Sequence, residues 1–546
     1  MVRARAARAA NKASHRRGAP PQARGSAGLL RREGAAQNAA VTRPDSATAA
    51  PTLQDFEPLL LAEAVLLRAA ALGDIAKVGY QRPRTPAPDV RLRAEFLAFL
   101  ARGGGPGAPV KGRRLQLLGA CIVGHLDLRD STLRNSLWFY RCVFGAPLEF
   151  DGAHLHGSLT FRDCALPGFS AEGARVDGEL EFDAGCNMYG ELMLTSATVG
   201  RHLSAERLQL RSSSKFPHTR PCRVLAENLR VGEDVLLVGG VETVGELRFR
   251  GAKIRGDLRA SGLHARTELD ESGTRGVALN LDGADVRGSV FLDAGFSATG
   301  QVRMQRVRIA GDLNCRSAEF DALGDAGWGD TGAVLLDRAR IGGALVLREL
   351  QSPLSGASLV DARASSLLDD AATWGDHYAL DGFVYKRLAA EAPTDPAMRV
   401  DWLGRQFSGT LGGDPLPDPW RRLIKVLRRM GRDGSAGAVA IGRERHLRRA
   451  GLIGRDAPQP LRWLPRLGHD LFGVLAGYGH RPLRLLAITL ALWLAWFWNT
   501  HGAPVLDTSA PGLWRALSWI EALCGGTATL MLIACVTGLT DRDRRR

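Results

Sequence analysis

Lysine is almost missing from this 546-residue chain, supplying only 7 of its 72 basic residues. With the Ala and Gly richness, that arginine bias points to a bacterial genome of high GC content. Cysteine is sparse, and none of its 8 copies forms a CxxC, which excludes a zinc ribbon and a thioredoxin-like site. No GxGxxG lies between a strand pattern and a helix pattern. The nearest approach, VGGVETVG (238 to 245), runs from one strand into another and is not a dinucleotide fingerprint. The first 50 residues have no acidic side chain before Glu33 and no apolar core, so they do not form a secretory signal. Their Arg, Ala, Ser and Gly content imitates a transit peptide, and the reading adopted for 1 to 50 is a disordered basic tail. No catalytic signature occurs anywhere. No catalytic, cofactor-binding or metal residue is therefore assigned, no cofactor is expected, and the expectation leans against an enzyme.

The formal charge of +15 invites a nucleic-acid reading until it is divided along the chain. Residues 1 to 111 hold 18 Lys and Arg against 8 Asp and Glu, residues 112 to 361 hold 29 against 32, and residues 362 to 546 hold 25 against 17. The near-neutral middle argues against a surface that tracks phosphates, so no nucleic-acid partner is expected.

That middle repeats one phrase: an apolar residue, a glycine, then two apolar residues two apart. GSLTF (157 to 161), GELEF (178 to 182), GELML (190 to 194), GELRF (245 to 249), GDLRA (256 to 260), GSVFL (288 to 292), GDLNC (311 to 315) and GALVL (343 to 347) all carry it. In GELEF, Leu180 and Phe182 face inward while Glu179 and Glu181 face outward, the alternation of a strand. Cys121, Cys142, Cys164 and Cys186 recur at intervals of 21, 22 and 22, and that interval sets the length of one coil. The four thiols are expected in one equivalent corner as small, soft fillers, and free thiols suit a reducing compartment. The fold class expected is mainly β: a right-handed parallel β-helix (solenoid) of 10 to 11 coils, with loops near 211 to 222 and 321 to 331.

The flanks complete the plan. Residues 51 to 110 read as a helical cap, with one helix between Gln54 and Val78 and a second begun by Asp89 as N-cap, closing the open apolar end of the first coil. The solenoid is placed at 111 to 372. Residues 373 to 480 supply an aromatic plug of Trp374, Phe383 and Tyr385. A helical hairpin follows: Asp418 to Met430 buries Trp420, Leu423, Ile424 and Leu427, and Ser435 to Ala450 buries Val439, Ala440 and Leu447. Residues 421 to 484 carry 15 basic side chains against 4 acids, suited to anionic lipid headgroups.

Two charge-free runs, Leu485 to Ala503 and Ala522 to Thr540, then suggest a transmembrane hairpin over 481 to 546. Arg481 and Arg484 before it, and Arg542, Arg544, Arg545 and Arg546 after it, place both termini in the cytoplasm of a two-pass bacterial inner-membrane protein. Trp493, Trp496 and Trp498 then mark the outer interface, and Gly525, Gly526 and Ala528 offer a small packing face. Glu521 reads as an acid reaching headgroups or water in preference to a proton relay.

Two clusters in the solenoid carry chemistry in principle. His154 and His156 flank inward Leu155 and project together, a metal pair without a visible third ligand. Asp177, Glu179, Glu181 and Asp183 form an outward carboxylate row, as on glycan-cleaving β-helices. One coil earlier stand His156, Ser158, Thr160 and Arg162, whose cross-coil bonds, with an Arg162 to Asp183 pair, explain the acids without a substrate.

The blocks RLRAEFLAFLARGG (91 to 104), LQLLGACIVGHLDLRD (115 to 130), GVALNLDGADVRGSVFLDAGFSATGQVRMQRVRIAGDLNC (276 to 315), LDGFVYKRL (380 to 388), PDPWRRLIKVLRRMG (417 to 431) and GYGHRPLRLL (477 to 486) give the chain a family likeness. Over about residues 90 to 546 it resembles a family of bacterial membrane proteins with pentapeptide-like repeats. The resemblance implies membrane association and, through a label some members carry, an oxidoreductase, although no redox motif here supports that label. The function expected is a membrane-anchored, cytoplasm-facing solenoid that binds a protein partner or organises an assembly. A membrane-associated oxidoreductase and a transport or sensing component are the alternatives.

Overall fold

The computed structural model describes residues 51 to 501, apart from 184, 211 to 223, 268 to 275, 322 to 331, 355, 377, 407 to 416, 454, 456, 457, 459 and 460, together with Gly526. Parallel strands of two to seven residues build a β-solenoid whose every coil visits four faces in turn. Faces 1 and 2 share a 22-stranded sheet, and faces 3 and 4 are 10-stranded sheets. The register of face 2 shows the stacking: Leu115, Leu137, Leu159, Leu180, Leu203, Val235, Leu258, Val290, Leu313, Leu345, Leu367 and Leu388 pair one above another. All are buried. Twelve rungs at strand spacing make a rod of about 53 Å.

The steps along that ladder are nearly even except at three places, Leu203 to Val235, Leu258 to Val290 and Leu313 to Leu345. Each long step holds an insertion of about ten residues between faces 3 and 4. Two were expected near 211 to 222 and 321 to 331; the third spans 268 to 275. All three fall at the same corner, on alternate coils.

The repeat glycine has a steric cause. At the corner between faces 1 and 2, a Ser or Asp side chain accepts the backbone N–H of the residue one coil on: Asp234 takes Asp257, Asp257 takes Ser289, Ser289 takes Asp312 and Asp312 takes Ala344. The accepting oxygen occupies the place of the next glycine's absent Cβ. A Cβ on Gly288 would lie 2.2 Å from Asp257 Oδ1 and 2.6 Å from the Gly256 carbonyl. Glycine therefore permits close stacking here, whereas the left-handed corners are filled as readily by Asp130, Asn228 or Arg306 as by Gly152.

The interior is aliphatic with an aromatic stretch near its start. Phe139, Phe161 and Phe182 occupy one column and stack at 5.3 Å between ring centroids. Only three of the expected cysteines share a column. Cys121 pairs with Val143, one position out of step, so Cys142, Cys164 and Cys186 stack alone. Each of these thiols donates to a carbonyl of the preceding coil, that of Leu117, Phe139 and Phe161 respectively. Burial drives the Cys164 thiol well above its ordinary pKa, which keeps it a filler.

Helices close both ends. Helix α1 (Leu61–Leu72) and α2 (Ala94–Ala101) cover the first coil. The sequence suggested one helix from Gln54 and a second begun at Asp89. Instead Leu53–Phe56 is a separate 3-10 turn, and Arg91–Arg93 pairs as a strand with Cys121–Val123 before α2 starts. Glu63 of α1 is fully buried against Arg93, whose Nε and Nη2 donate at 2.8 and 2.6 Å.

At the far end Trp374, Phe383 and Tyr385 are buried as expected. They are joined by Tyr378 and by Trp402 of α3 (Pro396–Gly404). Asp369 occupies the inward column that holds Leu117 and Phe139, one rung beyond Leu347. Arg399 of α3 seals it with two bonds of 2.7 Å, and Trp374 Nε1 donates a third at 2.8 Å. Helix α4 (Pro417–Arg429) lays Trp420, Leu423, Ile424 and Leu427 toward the last strand, Val384–Leu388, and packs on α5 (Asp433–Arg449).

Helices α6 (Trp463–Ala476) and α7 (Pro482–His501) follow. The first expected membrane span is not found: among the described residues no helix is long and apolar enough to cross a membrane. In α7 the most apolar stretch, 485 to 498, is 14 residues and includes Thr489; it is about 21 Å long against a hydrocarbon core of about 30 Å. The second run, 522 to 540, lies outside the described residues except Gly526, as does Glu521.

Candidate functional site

Face 1 brings together side chains that the chain keeps a full coil apart. Its outward positions run, rung by rung, Thr132, His154, Arg175, Thr198, Arg230, Lys253, Asp285, Arg308, Arg340 and Arg363. Each precedes an inward residue of the core, such as Val231, Ile254 or Ile341, so the pleat fixes its direction.

Near the start of this face, Asp177 joins the histidine pair. His154 Nε2 and His156 Nδ1 lie 3.0 and 3.2 Å from Asp177 Oδ2, while Arg175 Nε donates to Oδ1 at 2.7 Å. The Arg175 guanidinium, helped by His154, holds the Asp177 carboxyl at about 2. A carboxylate beside the histidine pair, which spacing alone did not reveal, is thus supplied by the next coil.

Beyond it lies a cleft of about 440 Å³, lined by Thr198, Gly200, Gly232, Arg230, Arg255 and Arg287 among others. Two missing side chains make it. A Cβ on Gly200 would lie 2.2 Å from the Asp177 carbonyl and one on Gly232 would lie 1.9 Å from the Gly200 carbonyl, so two adjacent rungs are bare while their neighbours carry Asp177 below and Arg255 above.

From the cleft onward the face is basic. Arg230, Lys253, Arg255, Arg287, Arg308, Arg340 and Arg363 are all exposed, and among the described residues none has a carboxylate within ion-pair distance. Asp285 is the one acid among them. Elsewhere on the rod comparable arginines are neutralised: Arg201 by Glu179, Arg259 by Asp257, Arg248 by Glu246 and Arg303 by Asp282. The near-neutral sum over 112 to 361 therefore concealed a segregation of charge. Its signal in the sequence is a basic residue directly before a β-branched one, in Arg230-Val231, Lys253-Ile254, Arg308-Ile309 and Arg340-Ile341.

The carboxylate row disperses. Asp177 turns to the histidines, Glu179 pairs with Arg201, and Glu181 accepts from Thr160 Oγ1 at 3.0 Å while burial lifts its carboxyl above the usual range. Asp183 stands in register with Arg162, yet its carboxylate accepts from Ser204 at 2.7 Å. The row is a set of cross-coil bonds. VGGVETVG forms a left-handed corner at Gly239 and Gly240 followed by the strand Glu242–Val244.

No protein-family model, no curated protein and no solved structure matches the chain.

Proposed function

We propose that the protein is a scaffold: a β-solenoid fixed to the cytoplasmic side of a bacterial membrane by its C-terminal helices, holding an acidic protein partner along face 1. The observation that carries this reading is the strip of seven exposed cations that have no carboxylate partner among the described residues. From Arg230 to Arg363 it runs about 24 Å at strand spacing, enough for an extended acidic segment paired to guanidinium forks. A protein suits it better than nucleic acid. No aromatic side chain stands among the strip's outward positions to stack a base, and Asp285 within it repels a uniform phosphate chain but can meet a partner's cation.

Membrane attachment draws support from α6 and α7. Trp463, Leu464, Leu467, Leu471 and Val474 form an exposed apolar stripe on α6, and Leu483, Leu486, Leu490, Trp493 and Leu494 are exposed on α7. The opposite side of α6 is tied to α5 by His469 and Glu444 at 3.3 Å, and Asp470, at the margin of the stripe, bonds Arg448 of α5 at 2.9 Å. The charge-free run at 522 to 540, the arginines flanking both runs and the basic stretch 421 to 484 favour a hairpin at anionic lipid, with the rod in the cytoplasm.

Lys253 makes the reading testable, because a carbodiimide joins its amine directly to a contacting carboxylate. Carbodiimide treatment of native membranes, followed by mass spectrometry, is expected to link Lys253 to a carboxylate of one acidic protein. The link should disappear in Arg287→Glu/Arg308→Glu/Arg340→Glu. A Lys253 that stays unlinked, or a protein that leaves the membrane fraction at neutral pH, overturns the proposal. So does tighter binding of a single-stranded oligonucleotide than of a glutamate-rich peptide to the purified full-length chain.

A further inference from the structure

We infer that His154, His156 and Asp177 form a binding site for a divalent transition-metal ion. The inference is independent of the scaffold reading, since it concerns a different set of side chains and a different class of ligand.

The three ligand atoms lie within 4.8 Å of one another. In a tetrahedral zinc site, donors about 2.0 to 2.1 Å from the ion stand about 3.4 Å apart. The separations of 3.0 and 3.2 Å from Asp177 Oδ2 to the two ring nitrogens differ from that by a few tenths of an ångström, so the carboxylate oxygen already stands at ligand spacing from both imidazoles. The scaffold fixes these positions. His154 and His156 flank Leu155, which is fully buried, and the register sets Arg175 directly above His154, bringing Asp177 above His156.

The donor set selects the ion. Two imidazoles and one carboxylate suit zinc, cobalt or nickel, whereas magnesium and calcium prefer oxygen alone. Arg175 occupies Asp177 Oδ1, which leaves Oδ2 as a single ligand atom and orients it, the part an outer carboxylate or guanidinium contact plays around many sites. Its charge opposes the ion, as does that of exposed Arg134 one rung below, so a site of moderate affinity is expected. Above Asp177 the next rung carries Gly200, which borders the cleft and sets no side chain over the carboxylate, so a fourth coordination position is expected on that side. An open position is the mark of a site that accepts water or an incoming ligand.

Titration of the purified full-length protein with zinc chloride, in competition with a chromophoric chelator, tests this. One zinc ion per chain is expected, with magnesium chloride unable to displace it. His154→Ala, His156→Ala and Asp177→Asn should each weaken zinc binding at least about tenfold, with unchanged circular dichroism because all three side chains are at the surface. His202→Ala, a surface histidine beside Glu233, serves as the control and should leave affinity unaltered. Failure of the wild-type chain to take up zinc overturns the site, as does uptake that persists in His154→Ala/His156→Ala. Loss of binding in both histidine variants with none in Asp177→Asn overturns the three-ligand assignment. If the Lys253 link fails while zinc binds as described, the scaffold reading falls and this site stands.

Discussion

At the first rung the carboxylate comes from a helix and the guanidinium from the rod: Glu63 of α1 meets Arg93 at the end of a strand. At the last rung the roles are exchanged, with Asp369 on the rod and Arg399 on α3. The first pair is half wet, with Arg93 keeping 33% of its side chain exposed, while both side chains of the second are at 0%. Both pairs bind a helix to a core that would otherwise end in water, where a layer of Leu and Phe has no further coil to cover it. The difference lies in what each charge has besides its partner. Glu63 also accepts the backbone N–H groups of Leu60 and Arg93, whereas Asp369 depends on Arg399 and Trp374.

Arg399→Met should expose that dependence most sharply. It leaves Asp369 charged in a dry column, at a cost of about 3 to 5 kcal/mol, while Asp369→Leu/Arg399→Met should recover most of the loss. Hydrogen exchange over 363 to 388 in both variants decides it, and a double variant as unstable as the single would break the comparison. Within the body of the rod, Gly288→Ala should cost about 2 kcal/mol through the clash with Asp257 and the Gly256 carbonyl. Local exchange of the coils on either side, against a denaturant curve, would show whether the penalty stays in one corner.

Glu63→Gln should cost less than Arg399→Met, about 1 to 2 kcal/mol, because Arg93 retains water. Its pH dependence has a definite sign. Burial raises the Glu63 carboxyl, but the bonds from Arg93 and the two amides outweigh it, so the folded-state pKa lies below 4.5. The stabilisation is therefore complete above the unfolded value and lost as pH falls through the lowered one. Protection factors in α1, with the intrinsic exchange rate divided out, should fall on acidification in the wild type and lose that dependence in Glu63→Gln. The smallest effect belongs to the cysteine column. A maleimide is expected to leave Cys142, Cys164 and Cys186 unmodified until the rod unfolds; labelling of any of the three in the native state would show the coils opening between the two ends.

The coil and its inward residues were legible because alternation and the repeat glycine are local. So were the aromatic plug and the buried stripe of α4, whose apolar residues recur at helical spacing. The third insertion was not, since the segment at 268 to 275 is no richer in turn residues than the coils around it. Asp369 escaped because the run Ser365 to Asp370 no longer shows the repeat, although the strand continues inward through it. Cys121 was misplaced by one residue: it pairs with Val143 and not with Cys142, so it leaves the column of the other three while staying buried. Asp177 could be named from the sequence but not joined to His154 and His156 without the register of successive coils.

By itself the sequence determined the solenoid, its coil length and the alternation that fills its core, since each follows from contacts a residue makes with its near neighbours along the strand. Only the tertiary structure decided which outward side chains share a face. That depends on the accumulated register of every coil beneath, including three insertions that shift the numbering by about ten residues without shifting the stack. The basic strip and the His154, His156 and Asp177 cluster exist only in that register.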